Sequence, residues 1–201
     1  MIQNNPWNER YSIEEYYYGE EPNEFLKENI LKLKPGKILF PGEGEGRNAV
    51  FAARLGFDVT AFDSSSEAMK KALKLAEKHS VNINYKLLDY QSFIVSQIEA
   101  FQFAALIFTH CMPEIRTKLH KKIANLLLPG GMLILEAFNK KQLRNSSGGP
   151  NDINLLFSKE DLINDFASLN IVYCEEIQSK LSEGPHHEGT ADVVRFLGIK
   201  Q

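Results

Sequence analysis

The chain has 201 residues, 43% hydrophobic and 24% charged, with a formal net charge of -3. That length suits one domain with a substantial core, and the charge leaves no global basic field to draw it to nucleic acid or an anionic membrane. Its two cysteines, Cys111 and Cys174, form no spaced pair, so no disulfide framework is expected and a reducing cytoplasm is the expected setting.

The first residues, MIQNNPWNER, lack the basic and apolar regions of a secretory leader. No run in the chain approaches the ~18 apolar residues of a membrane span. Residues 1–35 hold Trp7, Tyr11 and the run Tyr16, Tyr17 and Tyr18, then a helix predicted from Pro22 with Phe25, Leu26, Ile30 and Leu33 facing inward. This segment reads as an N-terminal cover on a core formed by residues 36–201, the whole chain being one domain.

From residue 36 onward, short β-rich apolar runs alternate with helical patterns, which predicts parallel strands joined by crossover helices. The runs are 37–41, 58–62, 83–88, 103–109 and 132–138, and the runs at 170–177 and 191–198 read as a closing antiparallel pair. Between them, Ser64 with Glu67 reads as a capping box, followed by a stripe of Met69, Ala72, Leu73 and Ala76. Pro113 suits a first helical turn; Ile115, Leu119, Ile123 and Leu126 then face the core before Pro129-Gly130-Gly131 ends the helix. Ser158 with Asp161 opens a later helix carrying Leu162, Ile163 and Phe166. Residues 139–157 read as a long polar loop, a kind of segment that usually serves a site. The lysines at 70, 71, 74 and 78, and at 118, 121 and 122, are interrupted by acids and apolar residues. They read as solvated helix faces rather than as a nucleic-acid track.

The most informative segment is ILFPGEGEGRNAV, residues 38–50. A buried strand enters Gly42, Gly44 and Gly46 and a helix begins at once, a setting in which backbone approaches a ligand closely and helix N–H groups face it. A dinucleotide fingerprint needs glycine where Arg47 stands, and a phosphate loop needs a Gly-Lys-Ser/Thr that is missing. Asp63 closes the second strand, 21 residues after Gly42, where a carboxylate can accept both hydroxyls of a ribose. Asp89 closes the third strand and has a second reading as the cap of a short helix.

The pattern G-x-G-x-G resembles the first motif of class I, Rossmann-like S-adenosylmethionine-dependent methyltransferases. The stretches WNERYS…YYYGEEPNEFL, GEGEGRNAVFAARLGFDVTAFDSS, FTHCMPE, LLLPGGMLILEAF, SSGGPNDINLLFS and EGPHHEGTADVVRFLG resemble the branch that includes tellurite-resistance and thiopurine methyltransferase-like proteins. The resemblance implies an α/β fold: one doubly wound, mostly parallel seven-stranded sheet with an antiparallel last strand and helices on both faces. It also implies S-adenosylmethionine as cofactor, a small-molecule acceptor, and no nucleic-acid, membrane or obligate protein partner.

By the same resemblance, Gly42, Glu43, Gly44, Gly46, Arg47, Asp63, Ser64, Asp89, Tyr90, Arg10 and Tyr18 are the expected cofactor contacts. Asp89 would meet the adenine amine with Tyr90 against the ring; Arg10 could bind the methionine carboxylate through its planar fork, with a surface arginine as its other reading. Many relatives carry an acid at the end of strand one, where this chain has Pro41; Glu43 is the expected substitute. His110 is the expected catalytic residue, as base or as a group orienting the acceptor, with a backbone-bonded strand-end histidine as its other reading. His186 and His187 are placed to reach the same pocket. The spacing of His110, Cys111, His186 and His187 does not suit a metal, and none is expected. No Asn/Asp-Pro-Pro-Tyr/Phe follows strand four, which favours a small acceptor such as a sulfur, selenium or tellurium nucleophile. Two other readings stand beside transfer: a non-catalytic cofactor-binding or interaction protein, and a nicotinamide-dependent oxidoreductase, which Arg47 argues against.

Overall fold

The strand β1 (Lys37–Pro41) is buried along nearly its whole length, because successive side chains enter two different cores. Ile38 and Phe40 face one core, and Leu39 faces the other. Such a strand must be covered on both sides, which is why its sequence is continuously apolar rather than alternating. The computed structural model describes residues 5–184 and 186–201; the start of the N-terminal cover and Pro185 of the histidine-bearing segment lie outside the described residues.

The sheet has seven strands in the order β3-β2-β1-β4-β5-β7-β6. The others are β2 (Asp58–Asp63), β3 (Asn84–Leu87), β4 (Phe101–Ile107), β5 (Leu127–Phe138), β6 (Leu169–Ser182) and β7 (Glu188–Lys200). β7 pairs antiparallel with both β5 and β6, and every other pairing is parallel. One face carries α2 (Glu24–Ile30), α3 (Arg47–Arg54) and α4 (Ser66–Lys78); the other carries α5 (Tyr90–Val95), α6 (Pro113–Leu126) and α7 (Lys159–Asp165). Fully buried Phe40, Phe62, Phe93 and Phe166 anchor these layers, each contributing about 1.5–3 kcal/mol by leaving water. Strand order reverses between β1 and β4, and the crevice beyond their carboxyl ends is where such sheets bind ligands.

Three expectations about local structure are corrected. The cap of α4 is Ser65, whose Oγ accepts from Ala68 N at 3.1 Å. Asp63 Oδ1 accepts from Ser65 N at 2.9 Å and turns the chain one residue further, leaving Ser64 to accept from Asn5 Nδ2. Accordingly the buried stripe of α4 is Ala68, Ala72, Leu75 and Ala76, while Leu73 lies outside. β5 begins at Leu127 rather than after Pro129-Gly130-Gly131, which sit within it beside an irregularity in the pairing with β4.

The segment 139–157 is held by side-chain amides. Asn139 Nδ2 donates to Val193 O, Gln142 Oε1 accepts from Asp192 N, and Asn145 Nδ2 donates to Asp192 Oδ2. Two 3₁₀ turns, Lys140–Arg144 and Ile153–Leu155, form between these anchors. The capping box of Ser158 and Asp161 on α7 forms as expected. At the other end of the chain, α1 (Pro6–Tyr11) is a short helix that residue patterning had not marked. Among the described residues no helix is long and apolar enough to cross a membrane.

Candidate active site

A cavity of about 780 Å³ opens beyond the carboxyl ends of the strands; His110 and every expected cofactor contact except Gly46 line it, and of the paired histidines His187 does and His186 does not. Gly42 has φ +60, and a Cβ there would lie 2.2 Å from the Tyr90 hydroxyl. Only glycine leaves room for that approach. Gly46, φ +92, starts α3 and presses on α4 instead: its Cβ would lie 2.7 Å from that of Ala72.

Because Gly46 has no side chain to cap α3, Glu43 reaches forward and does so. Its Oε1 accepts from Asn48 N at 2.9 Å and Ala49 N at 2.7 Å. Burial pushes this carboxyl up to about 7 despite those bonds. Glu43 borders the cavity, with Oε1 engaged in holding the helix.

Arg47 is also redirected. Its Nη2 pairs with Glu183 at 2.8 Å and its Nη1 donates to Glu21 O. Burial raises the Glu183 carboxyl, but the charge of Arg47 and the bonds from His187 and Arg47 prevail and hold it at about 2. Asn23 Nδ2 bridges Glu183 and Glu136. Nothing local marks Glu183 or Asn23 in the sequence, since their partners lie across the fold.

Asp63 stands at the end of β2 with Oδ2 accepting from Gly44 N at 3.0 Å and Oδ1 from Ser65 N. An ionised carboxylate has about four lone-pair sites, so acceptor capacity remains for a diol. Burial raises its pKa, against the pull of those backbone N–H groups. Asp89 fills its second reading as cap of α5, with Oδ1 accepting from Ser92 N at 2.7 Å, and it borders the cavity as well. The Tyr90 ring packs edge-on against Phe62.

The N-terminal aromatics form one rim. Arg10 Nη1 donates to the Tyr18 hydroxyl at 2.9 Å, and its guanidinium lies 4.6 Å from the Trp7 ring centre and 5.2 Å from that of Tyr17. Tyr17 stacks on His186 at 3.6 Å, so the cover is tied to the turn between β6 and β7.

His110 has the backbone-bonded arrangement. Its Nδ1 lies 2.7 Å from Leu155 O, so that nitrogen carries the proton, and Nε2 accepts from Phe138 N at 3.3 Å. Burial holds it down at about 4. These two contacts clamp the 3₁₀ segment at Leu155 to the end of β5. His187 is different: Nδ1 faces Glu183 Oε2 at 3.3 Å, and among the described residues Nε2 has no hydrogen-bond partner. Burial of the Cys111 thiol, which also borders the cavity, pushes it up to about 12, so it stays protonated. Among the described residues no group of three or more metal-ligating side chains forms.

The chain is similar to several known proteins. A family model described as tellurite resistance protein TehB matches residues 7–185. A curated relative, the probable S-adenosyl-L-methionine-dependent methyltransferase TehB of Haemophilus influenzae, is 29% identical over 76 residues, 38% of this chain and 27% of the relative. A ubiquinone biosynthesis O-methyltransferase of Xanthomonas oryzae pv. oryzae is 30% identical over 115 residues, 55% of this chain and 46% of the relative. The chain therefore spans about a quarter to a half of the length of these curated relatives. The solved structure of TehB from Haemophilus influenzae superposes with a TM-score of 0.74 at 20% identity, over 89% of this chain and 62% of that one. The N-methyltransferase NodS of Bradyrhizobium japonicum, solved in complex with S-adenosyl-L-homocysteine, superposes with a TM-score of 0.66 at 17% identity, over 99% and 90% of the two chains. These likenesses establish the fold.

Proposed function

Since the chain belongs to the tellurite resistance protein TehB family, we propose that it binds S-adenosylmethionine and transfers a methyl group to a small soft nucleophile of the sulfur, selenium or tellurium class. The observation that carries this reading is the convergence of Gly42, Asp63, Asp89 and Tyr90 on one cavity at the strand ends, with a second, aromatic end beyond them. The cradle fits a nucleoside-bearing cofactor: the backbone at Gly42 is bare, Asp63 retains acceptor capacity, and Thr109 Oγ1, beside Gly42, is buried without a partner among the described residues.

When bound, S-adenosylmethionine supplies a methyl already activated by its sulfonium charge. The protein's work is then to bind, orient and exclude water. Asp63 would receive the ribose hydroxyls, Asp89 and Tyr90 would hold the base, and Gly42 and Gly44 would let the chain approach. Arg10 with Tyr18, Trp7 and Tyr11 closes the cavity from the N-terminal side. His110 positions the Leu155 segment over the acceptor end. His187, held by an ionised Glu183, keeps Nε2 able to accept a proton that the acceptor releases.

Calorimetry with S-adenosyl-L-homocysteine, NAD and ATP tests the cofactor; tighter NAD binding would overturn the assignment. Labelled S-adenosylmethionine offered with thiols, selenite, tellurite and amines tests transfer. Binding without transfer to any acceptor would favour the non-catalytic reading.

A further inference from the structure

Of the four lysines on α4, Lys70, Lys74 and Lys78 are exposed, as a solvated face requires, and Lys71 is not. Its side chain is 14% exposed, and its Nζ lies 2.7 Å from Oε1 of Glu45, a glycine-loop carboxylate whose side chain is 3% exposed. The cause is the contact of Gly46 on Ala72, which presses the loop against α4 and sets the neighbouring lysine beside Glu45.

The same ammonium holds the N-terminal cover. Lys71 Nζ donates to Glu15 O at 2.6 Å, the Tyr16 hydroxyl donates back to Lys71 O at 3.1 Å, and the Tyr16 ring centre lies 5.3 Å from Nζ. Glu45 Oε2 accepts from Tyr18 N at 3.4 Å, and the Tyr18 hydroxyl accepts from Arg10. One ion pair thus fixes the segment 15–18 and, through Tyr18, the guanidinium at the cavity rim. Across residues 5–18 only Tyr11 is buried, so the cover gains little from leaving water. Its remaining ties are the hydrogen bonds of Asn5 with Ser64 and Asn8 with Ser65, and the stacking of Tyr17 and Tyr18 on His186 and His187. A segment with so few buried apolar contacts is of the kind that opens locally. The charge pair resists that opening, because losing its partner would leave Glu45 buried without a counter-charge.

We infer that Lys71, acting through Glu45 and Glu15, is a positioning residue that holds the cover over the cavity and so sets how long the cofactor stays bound. Lys71 does not line the cavity, whereas Trp7, Arg10, Tyr11 and Tyr18 of the cover do, so its effect on a ligand passes through them. The inference rests on the cofactor reading and adds to it the control of release.

The test compares the wild type with Lys71→Met, which keeps the aliphatic stem and removes the charge. Labelled S-adenosyl-L-homocysteine is bound and then chased with an excess of unlabelled ligand. Dissociation from Lys71→Met should be at least about tenfold faster, with association no slower. A variant that had merely lost folded protein would bind less ligand and release it at the wild-type rate. Trp7 is the single tryptophan of the chain, and its quenching by acrylamide in the ligand-free protein should rise in the same variant. If Lys71→Met does not fold, Tyr16→Phe, which removes only the hydroxyl bond to Lys71 O, should show both changes to a smaller extent. Unchanged dissociation in the variant that folds would overturn the inference, whatever the quenching. Failure of the wild type to bind S-adenosyl-L-homocysteine would overturn the cofactor reading, and the quenching, which needs no ligand, would then decide by itself whether Lys71 holds the cover.

Discussion

Replacing Glu183 with glutamine removes the negative partner of Arg47 while keeping the side chain's shape. The pair is buried, with side-chain exposures of 8% for Arg47 and 7% for Glu183, so solvent screening is slight. The folded-state pKa of Glu183 lies at about 2 against 4.5, a difference worth about 3 kcal/mol at 1.36 kcal/mol per unit. Leaving one partner of a buried pair uncompensated costs about 3–5 kcal/mol, so two separate routes agree. At about 2–4 °C per kcal/mol for a domain of this size, Tm should fall by about 6–12 °C. The sign with pH follows from the depressed pKa: this stabilisation is complete above about 4.5 and is lost as pH falls through 4.5 toward 2. Wild-type stability should therefore decline over that window more steeply than that of Glu183→Gln. Urea denaturation at neutral and acid pH measures both effects. Arg47→Met alone should destabilise comparably, and the double variant should recover part of the loss, because no buried charge is left unpaired. A Glu183→Gln variant within 1 kcal/mol of wild type, or strict additivity in the cycle, would refute the reasoning.

Asp63→Ala should weaken S-adenosyl-L-homocysteine binding at least about tenfold, since hydrogen bonds to a charged group contribute about 1.5–3 kcal/mol each; calorimetry with unchanged affinity would place the ribose elsewhere. The His110 ring, held at about 4 by burial, should show no NMR titration between pH 5.5 and 8, whereas a midpoint near its usual 6.5 would show the ring open to water. Its contribution to stability is complete above about 6.5 and declines as pH falls toward 4. Gly46→Ala should cost at least about 1–2 kcal/mol from the left-handed backbone alone, with the contact on Ala72 adding to it; chemical denaturation showing no loss would mean that α3 and α4 separate freely.

What could be read from the residues in order was whatever a stretch of about ten of them encodes. Continuous apolar runs marked β1, β4 and β5 as strands covered on both faces, and the glycine pattern at 42–46 marked the ligand-binding turn. Ser158 with Asp161 and Pro113 at a first turn announced their helices, because caps and turns are satisfied by near neighbours. Family resemblance extended this to a seven-stranded, mostly parallel sheet with an antiparallel last strand. Local reading failed where a neighbour and a distant group compete for the same atom. Ser64 and Ser65 are both plausible caps, and only the bond from Ser65 N to Asp63 selects between them. Glu43, expected from sequence only at the cofactor, also caps α3 in space, because Gly46 left that helix without a side-chain cap of its own. Arg47 and Glu183 are 136 residues apart, and His110 and Leu155 are 45 apart. The position of a charge along the chain carries no information about which opposite charge it meets once water is excluded, so the buried pair of Arg47 with Glu183 and the His110 clamp were decided by tertiary packing alone.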